Sequence, residues 1–172
     1  MTSQLLIFGV LGIASTAVAF WVNRHLFAGR AAGSVTLLEG VYYVVGVCSL
    51  ILGWYFNVRY THQHGTNANY INFTKALFAN WAADSAAQDY IIVNLVLLPL
   101  WTIVEGTRRG LKWAWIFFVM SLFTSLAFSM ALFLAFMERQ LRYNRSLDAA
   151  RHSASASAAG FADGQFKASR TA

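Results

Sequence analysis

The chain holds a single cysteine and a single proline in 172 residues, and only 12% of its residues are charged. Cys48 alone excludes an internal disulfide, and it falls in an apolar run where a small buried residue is the ordinary reading. No Gly-rich loop ending in Lys-Ser or Lys-Thr is present to cradle a phosphate, so an ATP-driven system needs other chains. Metal chemistry wants at least three converging ligands. His62 and His64 form an H-x-H pair near Asp84 and Asp89 only along the sequence, and a solvated or interfacial role is expected for them. Cys48 and the serines of the last apolar block have no histidine or acid at their depth to activate them. The chain therefore reads as a non-enzyme, with no catalytic, cofactor or metal residues.

What it has in excess is apolar side chains. They make up 58% of residues at a mean hydropathy of +0.49, against about 45–50% apolar in soluble domains. They fall in blocks of about 20, the number that crosses a hydrocarbon core of about 30 Å at about 1.5 Å per residue. Blocks near 4–22, 35–56, 89–106 and 113–137 predict four transmembrane helices in one all-α integral membrane domain, 1–140. The third is the weakest, because Asn94 and Pro99 interrupt it and Glu105 closes it. Ala17-Val18-Ala19 has the look of a cleavage site. The leading MTSQ carries no Lys or Arg, however, and the apolar run continues through Val22, so a retained helix is expected.

Tyr70, Phe73, Leu77, Phe78 and Trp81 recur on one helical face and predict a short interfacial helix over 70–81, lying on lipid or against a partner. The stretch 141–172 starts basic and ends as SASASAAGFADGQFKASRTA, a composition that predicts disorder. With four spans, the two short connections hold five Lys and Arg and the other side six, so the positive-inside rule does not decide. Attraction of the tail's Arg139, Arg142, Arg145 and Arg151 to anionic lipid favours both termini in the cytoplasm of an inner-membrane protein. The net charge of +6 fits a membrane surface, and no compact basic domain exists to carry nucleic acid.

Small residues at helical spacing predict close helix packing: Gly46 and Gly53 in the second block, and Ser121, Ser125 and Ser129 in the fourth. Their mates are helices of this chain or of other integral membrane subunits. Glu105, Arg108 and Arg109 are spaced for an ion pair at the membrane edge. Glu39 is spaced for a first-turn acid on the helix dipole. Asn94 and Thr102 are expected to hydrogen-bond another helix.

The string His64-Gly65, Leu77-Phe78-Ala79-Asn80, Asp89, Glu105 with Arg108 and Arg109, Trp113, Trp115, Leu126-Ala127-Phe128, Leu132-Phe133-Leu134 and Glu138-Arg139 resembles a family of small bacterial inner-membrane proteins catalogued only as a domain of unknown function. The resemblance covers about residues 36–140. It implies no enzymatic activity. Similar small polytopic proteins of actinobacteria accompany lipid importers of the mammalian-cell-entry type. An accessory subunit of such a complex is the leading expectation, ahead of a stand-alone transporter or channel and of a lipid enzyme using Glu39, His62, His64 or Glu105.

Overall fold

The computed structural model describes residues 3–28 and 33–170, with side chains up to Ser155. Arg30 lies outside the described residues, as do the last two residues of the tail. Everything regular among the described residues is helical. Helix α1 (Ser3–Val22) and helix α2 (Leu37–His64) are the first two long elements. A short α3 (Tyr70–Ala76) follows, then a third long element made of α4 (Trp81–Ile92), a π turn at Val93–Leu97 and α5 (Leu98–Arg108). The chain ends in α6 (Ile116–Phe123) and α7 (Leu126–Arg170).

Three of these elements are long and apolar enough to cross a membrane: α1, α2 with the 3-10 turn after it, and α4 to α5. The fourth block is not one helix. At Thr124 the backbone turns to φ −115°, ψ −96°, and Ser125 starts α7 by accepting the Phe128 N–H on its hydroxyl at 3.1 Å. The chain folds back there. The Ser129 hydroxyl donates to the Phe117 carbonyl, and Phe117 packs edge-on against Phe133 and Phe136 at ring distances of 5.4 and 5.3 Å. Neither arm is long enough for the crossing the sequence predicted: α6 has eight residues, and the apolar run of α7 ends at Met137.

The tip of this hairpin sits part-way along the long helices. A Cβ placed on Gly12 would lie 2.8 Å from Thr124 Cγ2 and 3.2 Å from the Phe123 carbonyl oxygen, so only glycine admits the tip there. Gly12 is ten residues from the end of α1, roughly 15 Å of helix rise. α6 runs back along α1 to its C-terminal end, where Asn23 bridges the two: its Nδ2 donates to Lys112 O at 3.0 Å and its Oδ1 accepts from Lys112 N at 3.0 Å. α7 runs along α2, with Gly53 against Ser125, Gly46 against Phe128 and Ala131, and Glu39 against Arg139. Both arms thus leave from the end of the bundle that holds the C-terminus of α1 and the N-terminus of α2.

Other expectations shift in detail. The third long element begins at Trp81 rather than near 89, because the Asn80 side chain caps the Ala82 and Ala83 amides. That cap also ends the expected 70–81 helix. Its last turn is lost, Trp81 opens α4, and Leu77 and Phe78 belong to the turn after Ala76. The π turn precedes Pro99 by two residues; the proline ring clashes with the carbonyl four positions back, and Leu98 N–H reaches Val93 O instead. Residues 141–170, expected without order, continue α7, a helix already nucleated by its packed first half and carried on by alanine-rich sequence. Cys48, expected to be buried, is exposed on the outer face of α2.

Candidate functional site

A cavity of about 600 Å³ lies between α1, α2 and α4, above the tip of the hairpin and beneath α3. Its floor is the break itself, Ser121 to Ala127, with Asn94 of the π turn beside it. The floor is polar for a stated reason. The π turn rotates Asn94 inward, where it is 4% exposed, and its Oδ1 accepts the Ser121 hydroxyl at 2.7 Å. Ser125 spends its lone pair on the Phe128 amide, which leaves its hydroxyl proton to donate. Thr124 is the reverse case, since its hydroxyl donates to Met120 O at 2.7 Å and its oxygen remains an acceptor.

The walls are aromatic and aliphatic. Phe8 of α1, Trp54 and Tyr60 of α2, and Tyr90 of α4 face the space. Trp54 is set there by Gly9, whose missing side chain leaves room for the indole. The roof is α3. Asn69 caps it by accepting the Asn72 amide at 2.9 Å, and the Tyr70 amide donates to Gln4 Oε1 at 3.3 Å. Phe73 meets Tyr60 edge-on at 5.2 Å, and Tyr70 meets Phe8 at 6.2 Å. α3 has no buried residue of its own. None of the described residues that line the cavity is Asp, Glu, Lys, Arg or His.

Among the described residues, the ion pairs lie toward the opposite end. Glu39 is fully buried, and its two carboxylate oxygens accept from Arg139 Nε and from an Arg142 terminal nitrogen, while Tyr43 donates at 2.9 Å. Arg139 lies over the Phe27 ring at 4.4 Å and reaches Leu26 O at 3.3 Å; Arg142 donates to Ser34 O at 2.7 Å. Asn144 Nδ2 ties α7 to the end of α5 through Arg109 O at 3.0 Å. In the same region His25 sits edge-on to Tyr143, and burial, then the nearby Lys112 charge, lower its pKa below the ordinary histidine value, opposed by a hydrogen bond with Gln140.

The residues singled out in the sequence divide between these two places. Tyr70, Phe73 and Leu77 line the cavity, whereas Phe78 does not and Trp81 stands 90% exposed. Ser121 and Ser125 form the floor, and Ser129 packs the two arms together, so the three serines do not share one helix face. Gly46 and Gly53 meet α7 of the same chain. Glu105 pairs with Arg109, and Arg108 points outward. Thr102 bonds Pro99 O within its own helix at 3.3 Å, while Asn94 does reach another helix. Glu39 does open α2, and its two arginine partners, 100 and 103 residues away, have no local signal along the chain. His62 and His64 lie at the other end of α2 from Glu39, and among the described residues no three His, Cys, Asp or Glu side chains converge as metal ligands.

Residues 41–139 match the family described as protein of unknown function DUF2834, more than half of the chain, and the chain belongs to that family. The match falls on the stretch that carried the resemblance and brings no source, activity or partner with it. No curated protein and no solved structure matches the chain.

Proposed function

We propose that this DUF2834 protein is a noncatalytic multi-pass protein of the cell inner membrane that receives an amphipathic molecule in the cavity beneath α3. In this reading it serves as an accessory subunit of a larger membrane complex, lipid import being the case it fits best. The observation that carries the reading is the cavity itself. Three long apolar helices and a folded-back hairpin border about 600 Å³ between the N-terminal end of α1 and its midpoint, within the roughly 300–1,000 Å³ of small-molecule sites. Irregular backbone at such depth is tolerated where it lines a cavity or is buried in protein.

The membrane disposition that follows is three spans and a re-entrant hairpin, not four spans. The two termini then lie on opposite sides, which revises the expectation that both are cytoplasmic. The charge bias then also points one way. Among the described residues with described side chains, Arg24, Arg108, Arg109, Lys112, Arg139, Arg142, Arg145 and Arg151 belong to the hairpin's side, eight in all, against Arg59 and Lys75 on the other. That count favours a cytoplasmic α7 and a cavity opening to the outer side.

The test is extraction of the native chain in mild detergent, with identification of the proteins and lipids that stay with it. Stoichiometric membrane partners together with a retained lipid are expected. A monodisperse monomer with neither would overturn the reading.

A further inference from the structure

Resting on that reading, we infer that the cavity selects an uncharged amphipath with one acyl or isoprenoid chain and a hydroxyl, ester or carbonyl group. Charge is the first selector. A carboxylate, phosphate or ammonium placed in this space would lose its hydration and meet no counter-ion, since every polar lining residue is neutral. Among the described residues the buried ion cluster, around Glu39, is at the other end of α2 and already internally paired.

Hydrogen-bonding capacity is the second selector. At the floor, the Ser125 hydroxyl proton and the Thr124 lone pair are both available to a neutral group. At the rim, Asn57 and Thr61 add further neutral partners. Between rim and floor the wall is Phe8, Trp54, Tyr60, Phe73 and Tyr90, which suits a chain and offers an anion no counter-charge and a cation only ring faces. Size is the third selector, because a two-chain phospholipid with its headgroup exceeds the space that a single-chain molecule fills. Access is through α3, which has no buried residue and meets α1 and α2 through the Tyr70–Gln4 hydrogen bond and two ring contacts.

The test uses the full chain in phosphatidylcholine nanodiscs and three photoreactive probes with the same diazirine-bearing chain: a monoacylglycerol, the free fatty acid and an alkylammonium. Labelling is mapped by peptide and normalised to the outward residues Val44 and Val47 of α2. The monoacylglycerol is expected to label residues 70–77 and 121–127 at least tenfold above that baseline. The two charged probes are expected to stay near it. Gly53→Phe, which fills the cavity beside Ser125, is expected to cut the monoacylglycerol signal at least fivefold, and Ser49→Leu serves the same purpose if Gly53→Phe does not give a monodisperse protein. Equal labelling of the cavity by charged and neutral probes would overturn the selection for an uncharged ligand and leave the receiving site standing. Labelling no higher than on Val44 and Val47 with all three probes would overturn the receiving site itself.

Discussion

One end of the bundle is tied by charge and the other is closed by neutral amides and rings. At the ionic end, Glu39 holds Arg139 and Arg142, Asn23 clasps the Lys112 backbone, and Asn144 clasps the Arg109 carbonyl, so four chain segments are joined by directional bonds, with Glu39 and Asn23 fully buried. At the cavity end, α3 rests on Gln4, Phe8 and Tyr60, and the floor is built from serine, threonine and asparagine. Breaking the Glu39 ion pairs exposes the desolvation cost of buried charge, whereas breaking the contacts of α3 exchanges weak contacts for lipid or water. The contrast assigns rigidity to one end and access to the other. The hairpin lies between them, its arms anchored at the rigid end and its tip forming the floor of the open one.

The largest expected effect is topological, with the two ends of the bundle on opposite sides of the membrane. On a Cys48→Ser background, an impermeant thiol reagent applied to intact spheroplasts is expected to label Ser3→Cys fully, and Ser146→Cys only after lysis. Labelling of both from the same side would restore four spans and remove the hairpin. Next in size is Glu39→Ala. It removes the carboxylate that Arg142 and Arg139, the latter 7% exposed, share, and is expected to cost about 3–5 kcal/mol, read as a fall of roughly 10 °C in thermal unfolding midpoint. A loss below about 1 kcal/mol would show that this end is not locked by its charges.

Smaller effects probe the hairpin and the cavity. Gly12→Leu pushes a side chain into Thr124 and the Phe123 carbonyl and is expected to cost about 1–3 kcal/mol by the same measurement. Asn94→Leu removes the bond to Ser121 and is expected to cost only about 0.6 kcal/mol, the ordinary worth of a hydrogen bond between membrane helices. The smallest effect is in pH. His25 has its folded pKa below the ordinary value of about 6.5, so the unfolded chain takes up the proton first. Stability is therefore unaffected by His25 above that pH and declines as pH falls from about 6.5 through the lowered folded value. His25→Asn is expected to flatten this part of the stability profile; an unchanged profile would remove the histidine from the account.

Much of the fold can be read along the chain because hydropathy is local. α1 occupies the expected block to within a residue at either end, and the second and third blocks contain the cores of α2 and of α4 to α5. Capping is local too, and it was present to be read: Asn80 before the Trp81 run and Thr124-Ser125 inside the fourth block are ordinary helix-start signals. They were masked by periodicity, which carried the 70–81 pattern through one cap and the serine stripe through the other. Neither the cavity nor the Glu39 cluster has any such local signal. Ser121, Asn94 and Tyr70 converge only when α3, the π turn and the hairpin tip meet.

Along the chain alone one can read an all-helical protein with apolar blocks long enough to cross a membrane, because the length and apolarity of each block answer directly to the thickness and dryness of a bilayer. Only the tertiary structure decided that the fourth block turns back, that its tip floors an uncharged cavity, and that Glu39 is matched by arginines a hundred residues on. These depend on which surfaces meet. A chain can state its hydropathy residue by residue, but the counter-charge of a buried acid and the emptiness between helices are properties of distant segments brought together.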